Sequence, residues 1–155
     1  MILGIHHTSM STPDVDRLAK FYNEQLGFEV VSRGEWTGGN TTADTIYGLT
    51  DTAVKSVMLK TSNSYLELFQ FNRPVGAPGN ATRPISDNGV THIGVVVDDI
   101  QAEYARLKSA GMTFHCPPQS VGAIGWATYG RDPDGNIVEL MQVLDNGPYP
   151  ALPRT

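Results

Sequence analysis

Apolar and polar positions along this chain follow one pattern twice. Residues 4–28 (GIHHTSMSTPDVDRLAKFYNEQLGF) and 89–114 (GVTHIGVVVDDIQAEYARLKSAGMTF) both pass from a glycine through a β-rich stretch carrying a histidine, then an aspartate, then a helix-like segment closed by Gly27 or Gly111. Alternation or continuous β-branching over 2–10 and 90–97 predicts strands. Thr12-Pro13 reads as a helix start, with Thr12 as cap and Pro13 at the first helical position. Leu18, Phe21, Tyr22 and Leu26 then fall on one helical face, and Ile100, Tyr104 and Leu107 repeat that face in the second half. Extended segments follow at 28–33, 53–60 and 65–71, and again at 112–116, 124–130 and 136–143. Turn residues at Thr61-Ser62-Asn63 and Asp132-Pro133-Asp134-Gly135 join the last two strands of each half. The order in each half is therefore strand, helix, three strands. The Gly-, Thr- and Asn-rich stretch 34–52 is an insertion of the first half, a loop or short helix and a candidate lid.

With 155 residues, this pattern predicts one domain built from two modules, about 3–71 and 89–144. The Pro-rich segment 72–88 is their linker, and the tail from Asn146 is similarly Pro-rich. Net charge is −5 without any cluster of Lys and Arg, which excludes an evident nucleic-acid or anionic-membrane surface and leaves a small molecule as the expected partner. Cys116 is the single cysteine, so no intrachain disulfide forms. The chain shows neither a secretory leader nor an apolar run near the ~18 residues of a membrane helix, and the expected location is cytoplasmic.

The candidate chemistry sits in the repeat. His7 and His92 occupy matching positions, as do Glu67 in NSYLELFQ and Glu139 in GNIVELMQ. Alternate residues of a strand share a face, so His7 lies with Ser9 and Ser11, and Glu67 and Glu139 sit between apolar neighbours in strands expected to be largely buried. A carboxylate removed from water must be paired, coordinated or neutralised. One reading pairs the glutamates with Arg33 or Arg131; the other places His7, Glu67, His92 and Glu139 around one divalent ion (Ni, Co, Zn, Mn or Fe), for which such nitrogen and oxygen donors are suited. The matching register of all four favours the metal. His6 should point to the opposite face in a structural role, Cys116 is read as a small packed residue, and His115 as a solvent-exposed or structural histidine, with a place lining the cavity left open. The repeat aligns Val54, Ser56 and Met58 with Trp126, Thr128 and Gly130. Parity then turns Ser9, Ser56, Met58, Phe69, Trp126, Thr128 and Met141 toward a substrate.

The motifs HHTSMSTPD, FYNEQLGF, YLELF, THIGVVVDD and RDPDGNIVEL together resemble the vicinal oxygen chelate superfamily, which includes glyoxalase I, methylmalonyl-CoA epimerase, fosfomycin and bleomycin resistance proteins and extradiol dioxygenases. The resemblance covers about residues 3–144. It implies an α+β fold of two paired βαβββ modules forming a curled mixed sheet around a metal site, in a homodimer, and its metal positions fall on His7, Glu67, His92 and Glu139. It further implies a metal-dependent isomerase, epimerase or lyase that stabilises an enediolate or enolate of a small carbonyl substrate, with Glu139 or Glu67 moving the proton. Two alternatives remain open: an Fe(II) extradiol-type dioxygenase using His7, His92 and Glu139, and a drug-binding resistance protein. Ser11 and Phe71 stand where bacterial glyoxalase I places an arginine and an asparagine, and Ser56 stands where methylmalonyl-CoA epimerase is aligned to carry its base.

Overall fold

Each half of the chain folds as strand, helix and a returning antiparallel ladder. The computed structural model describes residues 1–152 and divides into two compact units, the first ending at Gly79 and the second beginning at Asn80. The fold is mixed α+β, with one mixed sheet in each unit. The first unit contains β1 (His7–Ser11), α1 (Val15–Leu26), β2 (Glu29–Trp36), α2 (Thr41–Tyr47), β3 (Ala53–Lys60) and β4 (Tyr65–Arg73), in the sheet order β1-β4-β3-β2. The second contains β5 (His92–Val96), α3 (Ile100–Ser109), β6 (Thr113–Phe114), β7 (Gln119–Ser120), β8 (Gly125–Arg131) and β9 (Ile137–Val143), in the order β5-β9-β8-β6 with β7 also paired to β8. The outer strands β1 and β5 run parallel to β4 and β9, which places the histidine strand beside the glutamate strand in both units.

Burial explains how each helix seats. Val15, Leu18, Ala19 and Tyr22 recur at helical spacing on one face of α1 and are buried, as are Val57, Leu59, Leu66 and Leu68 on the face of β3 and β4 that meets it. In the second unit Ile100 and Leu107 of α3 are buried, together with Val138 and Leu140 of β9. The helix starts differ from expectation. Asp14, not Thr12, caps α1, accepting from the Arg17 amide, while the Thr12 hydroxyl accepts from the Asp14 amide one step earlier. Pro13 restricts the residue before it and leaves the cap to the next side chain with an acceptor oxygen. Asp99 caps α3 in the same way. Gly27 ends α1 at φ 70°, a left-handed conformation that any side chain would strain.

A glutamine joins helix to sheet twice. Gln70 Oε1 accepts from the Val15 amide and Gln142 Oε1 from the Ile100 amide, so the first free N–H of each helix is satisfied by the strand that carries the glutamate, three residues beyond it. The first strands are shorter than alternation predicts. β1 starts only at His7, leaving Met1, Ile2, Leu3 and Ile5 exposed, because its partner β4 itself begins at Tyr65 after the turn and offers no earlier backbone. The same limit holds β5 to His92 and leaves Val90 exposed.

Candidate metal centre

The two units build the same pair. Parallel register sets His7 opposite Tyr65 and Ser9 opposite Glu67, and likewise sets His92 opposite Ile137 and Gly94 opposite Glu139. Residues opposed across a ladder share a face, so each histidine lies diagonally from its glutamate on one side of the sheet. His7 Nε2 stands 3.3 Å from Glu67 Oε2, and His92 Nε2 stands 3.2 Å from Glu139 Oε2. The other ring nitrogens are engaged elsewhere: His92 Nδ1 lies 2.8 Å from the Thr91 hydroxyl, and His7 Nδ1 lies 2.9 Å from His6 Nδ1. His6 itself stacks on Tyr65, at a centroid distance of 4.7 Å. Each imidazole is thereby oriented with Nε2 toward the carboxylate, which is how a neighbouring hydrogen bond fixes a metal-binding histidine.

The pairing with arginine does not form. Arg33 bridges to Asp16, and Arg131 donates to the backbone carbonyls of Gly135 and Arg83. Both carboxylates are left facing a histidine, with side chains 21% exposed at Glu67 and 13% at Glu139. Donors about 2.1 Å from a divalent ion and at right angles to one another lie about 3.0 Å apart. The two Nε2–Oε2 separations are close to that spacing, so each pair fits two adjacent positions on a metal. Among the described residues no group of three or more His, Cys, Asp or Glu side chains converges, so the structure brings His7 to Glu67 and His92 to Glu139 as two pairs.

Around Glu67 the face is aromatic. Met58 opposes Glu67, Ser56 opposes Phe69, and Val54 opposes Phe71. The insertion covers one end of this face. Tyr47 at the end of α2 meets Phe69 and Phe71 edge-on, both at 5.8 Å, and stacks on Trp36. Burial, and then the Glu67 charge, push the Tyr47 hydroxyl above its ordinary range, so it stays protonated at neutral pH. The segment is fastened to the sheet: Asp44 accepts from the Thr52 hydroxyl and from the amides of Asp51 and Thr52, and Trp36 Nε1 donates to the same hydroxyl. These bonds make α2 a wall of the face. Trp36 and Tyr47 carry no sequence signal for this face, because the cluster joins three separate segments, β2, α2 and β4.

The second unit corrects part of the expected lining. In β8 it is Tyr129 that opposes Glu139, with Ala127 opposing Met141. Trp126 and Thr128 oppose Gln142 and Leu140 instead, so they turn to the other face of the sheet; Trp126 is exposed there, and Thr128 is buried with its hydroxyl donating to the Cys116 carbonyl. Gly130 likewise opposes Val138. The cause is loop length. Lys60 pairs with Tyr65 across residues 61–64, whereas Arg131 pairs with Ile137 across 132–136, one residue longer. An ungapped alignment of the halves thus slips by one in β8, and a one-residue slip exchanges the faces of a strand. Ser9, Ser56, Met58 and Phe69 lie on the Glu67 face, and Met141 lies on the Glu139 face. His115 stacks at 6.4 Å on Tyr129, whose ring also meets His92 edge-on at 5.1 Å. Burial, then the Glu139 charge and a hydrogen bond to Glu139, hold the Tyr129 hydroxyl above its ordinary range.

Residues 4–140 match the family model described as the Glyoxalase/Bleomycin resistance protein/Dioxygenase superfamily. The chain belongs to this superfamily. Among curated relatives, a probable lactoylglutathione lyase of Vibrio cholerae is 27% identical over 139 residues, covering 89% of each chain. A 3-methylcatechol 2,3-dioxygenase of Pseudomonas putida is 27% identical over 136 residues; the match takes in 88% of this chain but only 40% of the dioxygenase. Among solved structures, a glyoxalase family protein of Bacillus cereus is similar with a TM-score of 0.84 at 22% identity, covering 93% of this chain and 96% of that one, which shows the shared fold. A fosfomycin resistance protein, FosX, of Listeria monocytogenes is similar with a TM-score of 0.60 at 16% identity, covering 91% of this chain and 93% of that one, and in that structure a mutant of it is seen in complex with Mn(II) and 1S,2S-dihydroxypropylphosphonic acid. Among the described residues, no helix is long and apolar enough to cross a membrane.

Proposed function

We propose that this protein is a metal-dependent isomerase, epimerase or lyase that moves a proton on the carbon next to a carbonyl, and that His7, Glu67, His92 and Glu139 together hold its one divalent ion. The observation that carries the reading is the duplicated pair: in each unit an oriented histidine Nε2 lies 3.2–3.3 Å from a half-buried carboxylate at the same register position. A bound divalent ion supplies Lewis-acid stabilisation for the negative charge that develops on the substrate oxygens as the proton leaves. A carboxylate of the pair takes the proton from carbon and returns it, breaking a C–H bond and forming an O–H bond, then the reverse. Thr91 and His6 hold the imidazoles still. The ring cluster of Trp36, Tyr47, Phe69 and Phe71 gives the Glu67 face an apolar wall, suited to the hydrocarbon body of a small oxygenated substrate. Ser11 and Phe71, at the positions where glutathione-dependent relatives carry an arginine and an asparagine, favour a substrate other than a glutathione adduct.

The test is solvent-deuterium exchange followed by NMR on a panel of 2-hydroxy and 2-oxo carbonyl compounds, with protein reconstituted separately with Ni, Co, Zn, Mn and Fe. Exchange at the α-carbon that disappears in Glu67→Gln and Glu139→Gln is the expected result; full exchange in both variants contradicts it. The similarity to a catechol dioxygenase supports a second reading, ring cleavage under Fe(II) by His7, His92 and Glu139. Oxygen uptake with catechols under ferrous iron decides for it. Glu67 weighs against it, since a fourth protein ligand would take a position that catechol and dioxygen require.

A further inference from the structure

We propose that the insertion around α2 forms a built-in subsite for an aromatic ring of the substrate, with Tyr47 as its specificity-determining residue and Arg73 as the positioning residue that clasps it in place. The substrate class this names, a carbonyl compound with an aryl body, rests on the metal-centre reading above; the ring subsite is tested apart from it. Four rings meet where the insertion returns to the sheet. Tyr47 stacks on Trp36 at 6.3 Å and meets Phe69 and Phe71 edge-on at 5.8 Å each, and Phe69 lies 5.7 Å from Phe71. All four are only half-buried. A further ring can therefore take the offset or edge-to-face contacts that aromatic groups prefer. Polar capacity is left over beside them: among the described residues the hydroxyls of Tyr47 and Ser56 make no hydrogen bond, and Ser56 stands directly across the ladder from Phe69. Opposite Ser56, β2 carries Gly34, where a Cβ would come within 2.8 Å of the Ser56 hydroxyl. The missing side chain keeps the sheet open beside Phe69. Glu67 precedes Phe69 on the same face by about 7 Å of strand, so a ring seated on Phe69 directs its carbonyl substituent toward the carboxylate.

One side chain closes the wall. Arg73, the last residue of β4, donates from Nε to the Asp51 carbonyl at 2.7 Å and from Nη2 to the Thr37 carbonyl at 3.0 Å, and Nη2 also pairs with the Asp51 carboxylate at 2.9 Å. Thr37 opens the insertion and Asp51 ends it, so one guanidinium ties both ends to the strand that carries Phe69 and Phe71. Gly38 makes room for it: at φ 137° a Cβ there would stand 2.6 Å from Arg73 Nη2 and 2.8 Å from Asp51 Oδ1. Asp51 is itself left-handed at φ 51°, with its amide donating to Asp44. Both partners of the ion pair are at least half exposed, and such a pair adds little to stability. Its contribution is geometric, because a planar fork makes bonds in fixed directions that a lysine ammonium on a flexible stem does not.

The test is a fluorescence titration of the full chain in a Trp126→Phe background, which leaves Trp36 as the single tryptophan and changes a residue on the other face of its sheet. The probes are mandelate, 4-hydroxymandelate and, as a competitor, lactate: three 2-hydroxy acids that differ in the ring and its hydroxyl. In Zn-reconstituted protein mandelate is expected to change the Trp36 emission and to bind about 10-fold tighter than lactate. The ring hydroxyl of 4-hydroxymandelate should add about 5-fold, and that gain should vanish in Tyr47→Phe. Arg73→Met should cut the preference for mandelate over lactate by about 5-fold with the urea midpoint little moved, and Arg73→Lys should fall between. A merely structural arginine would move the midpoint and leave the preference intact. Equal affinity for mandelate and lactate overturns the proposal, as does a hydroxyl gain that survives Tyr47→Phe or a ring preference that survives Arg73→Met. Should Arg73→Met unfold, Arg73→Lys decides that arm. Protein that takes up no Zn yet keeps the ring preference contradicts the metal-centre reading and upholds the subsite; Zn-loaded protein without the preference does the reverse.

Discussion

Orientation of the imidazoles is the contribution of single residues that the pairs most depend on. Thr91 Oγ1 stands 2.8 Å from His92 Nδ1, and removing that partner leaves the ring free to rotate away from Glu139. Thr91→Val, close in volume but without the hydroxyl, is expected to weaken metal binding by about 10-fold with little change in thermal midpoint; an unchanged affinity would show that the ring is held by its Tyr129 contact alone. His6 plays the corresponding part for His7, and here the sequence misleads. Alternation puts adjacent side chains on opposite faces, but His6 precedes β1, is not bound to strand geometry, and reaches His7 Nδ1 at 2.9 Å. The histidines and glutamates themselves were legible because duplication places them in register. Their orienting partners were not, since a hydroxyl or a second imidazole one residue away carries no periodic signal.

Elements were legible where one physical rule decided them and failed where two competed. Helices α1 and α3 follow from apolar spacing and from the glycines after them. The cap of α1 went to Asp14 because proline pushed the start along, and Asp14→Ala is expected to cost about 1 kcal/mol in urea unfolding. Insertion α2 behaves as a fastened wall through Asp44. Its carboxyl is held below the ordinary range first by the Thr52 hydroxyl and next by the Thr52 amide. A carboxyl whose folded value is depressed contributes stability above its unfolded value and loses it as pH falls through the folded value. Asp44→Asn should therefore lower the thermal midpoint near neutrality, and the gap from wild type should shrink as pH drops below the ordinary carboxylate range. A gap independent of pH would place the effect in lost packing. The slip in β8 shows the opposite case: pattern alone cannot detect that residues 132–136 make a longer connection than 61–64, and that single residue moves Tyr129 onto the Glu139 face and takes Trp126 and Thr128 off it.

For the whole molecule, the duplicated plan supplies a sheet, a covering helix and one histidine–glutamate pair in each unit, and superfamily membership rests on nearly the full length of that plan. The buried leucines beside the glutamates, Leu68 and Leu140, hold both strands against their helices. Leu68→Ala and Leu140→Ala should each cost about 2–5 kcal/mol in urea unfolding. The fold class was legible because two copies of one pattern corroborate each other. The reaction was less so, because it depends on residues such as Tyr47, Phe71 and Tyr129 that meet only after folding. Everything proposed for the chemistry stands on the four side chains serving a single ion. The most direct measurement is metal content by inductively coupled plasma mass spectrometry on untagged protein, wild type beside His7→Ala and Glu139→Ala. One transition metal per chain, lost in both variants, is the predicted result. Wild type that stays without metal after reconstitution with Ni, Co, Zn, Mn and Fe would contradict the account and leave the two pairs as structural contacts in a binding protein.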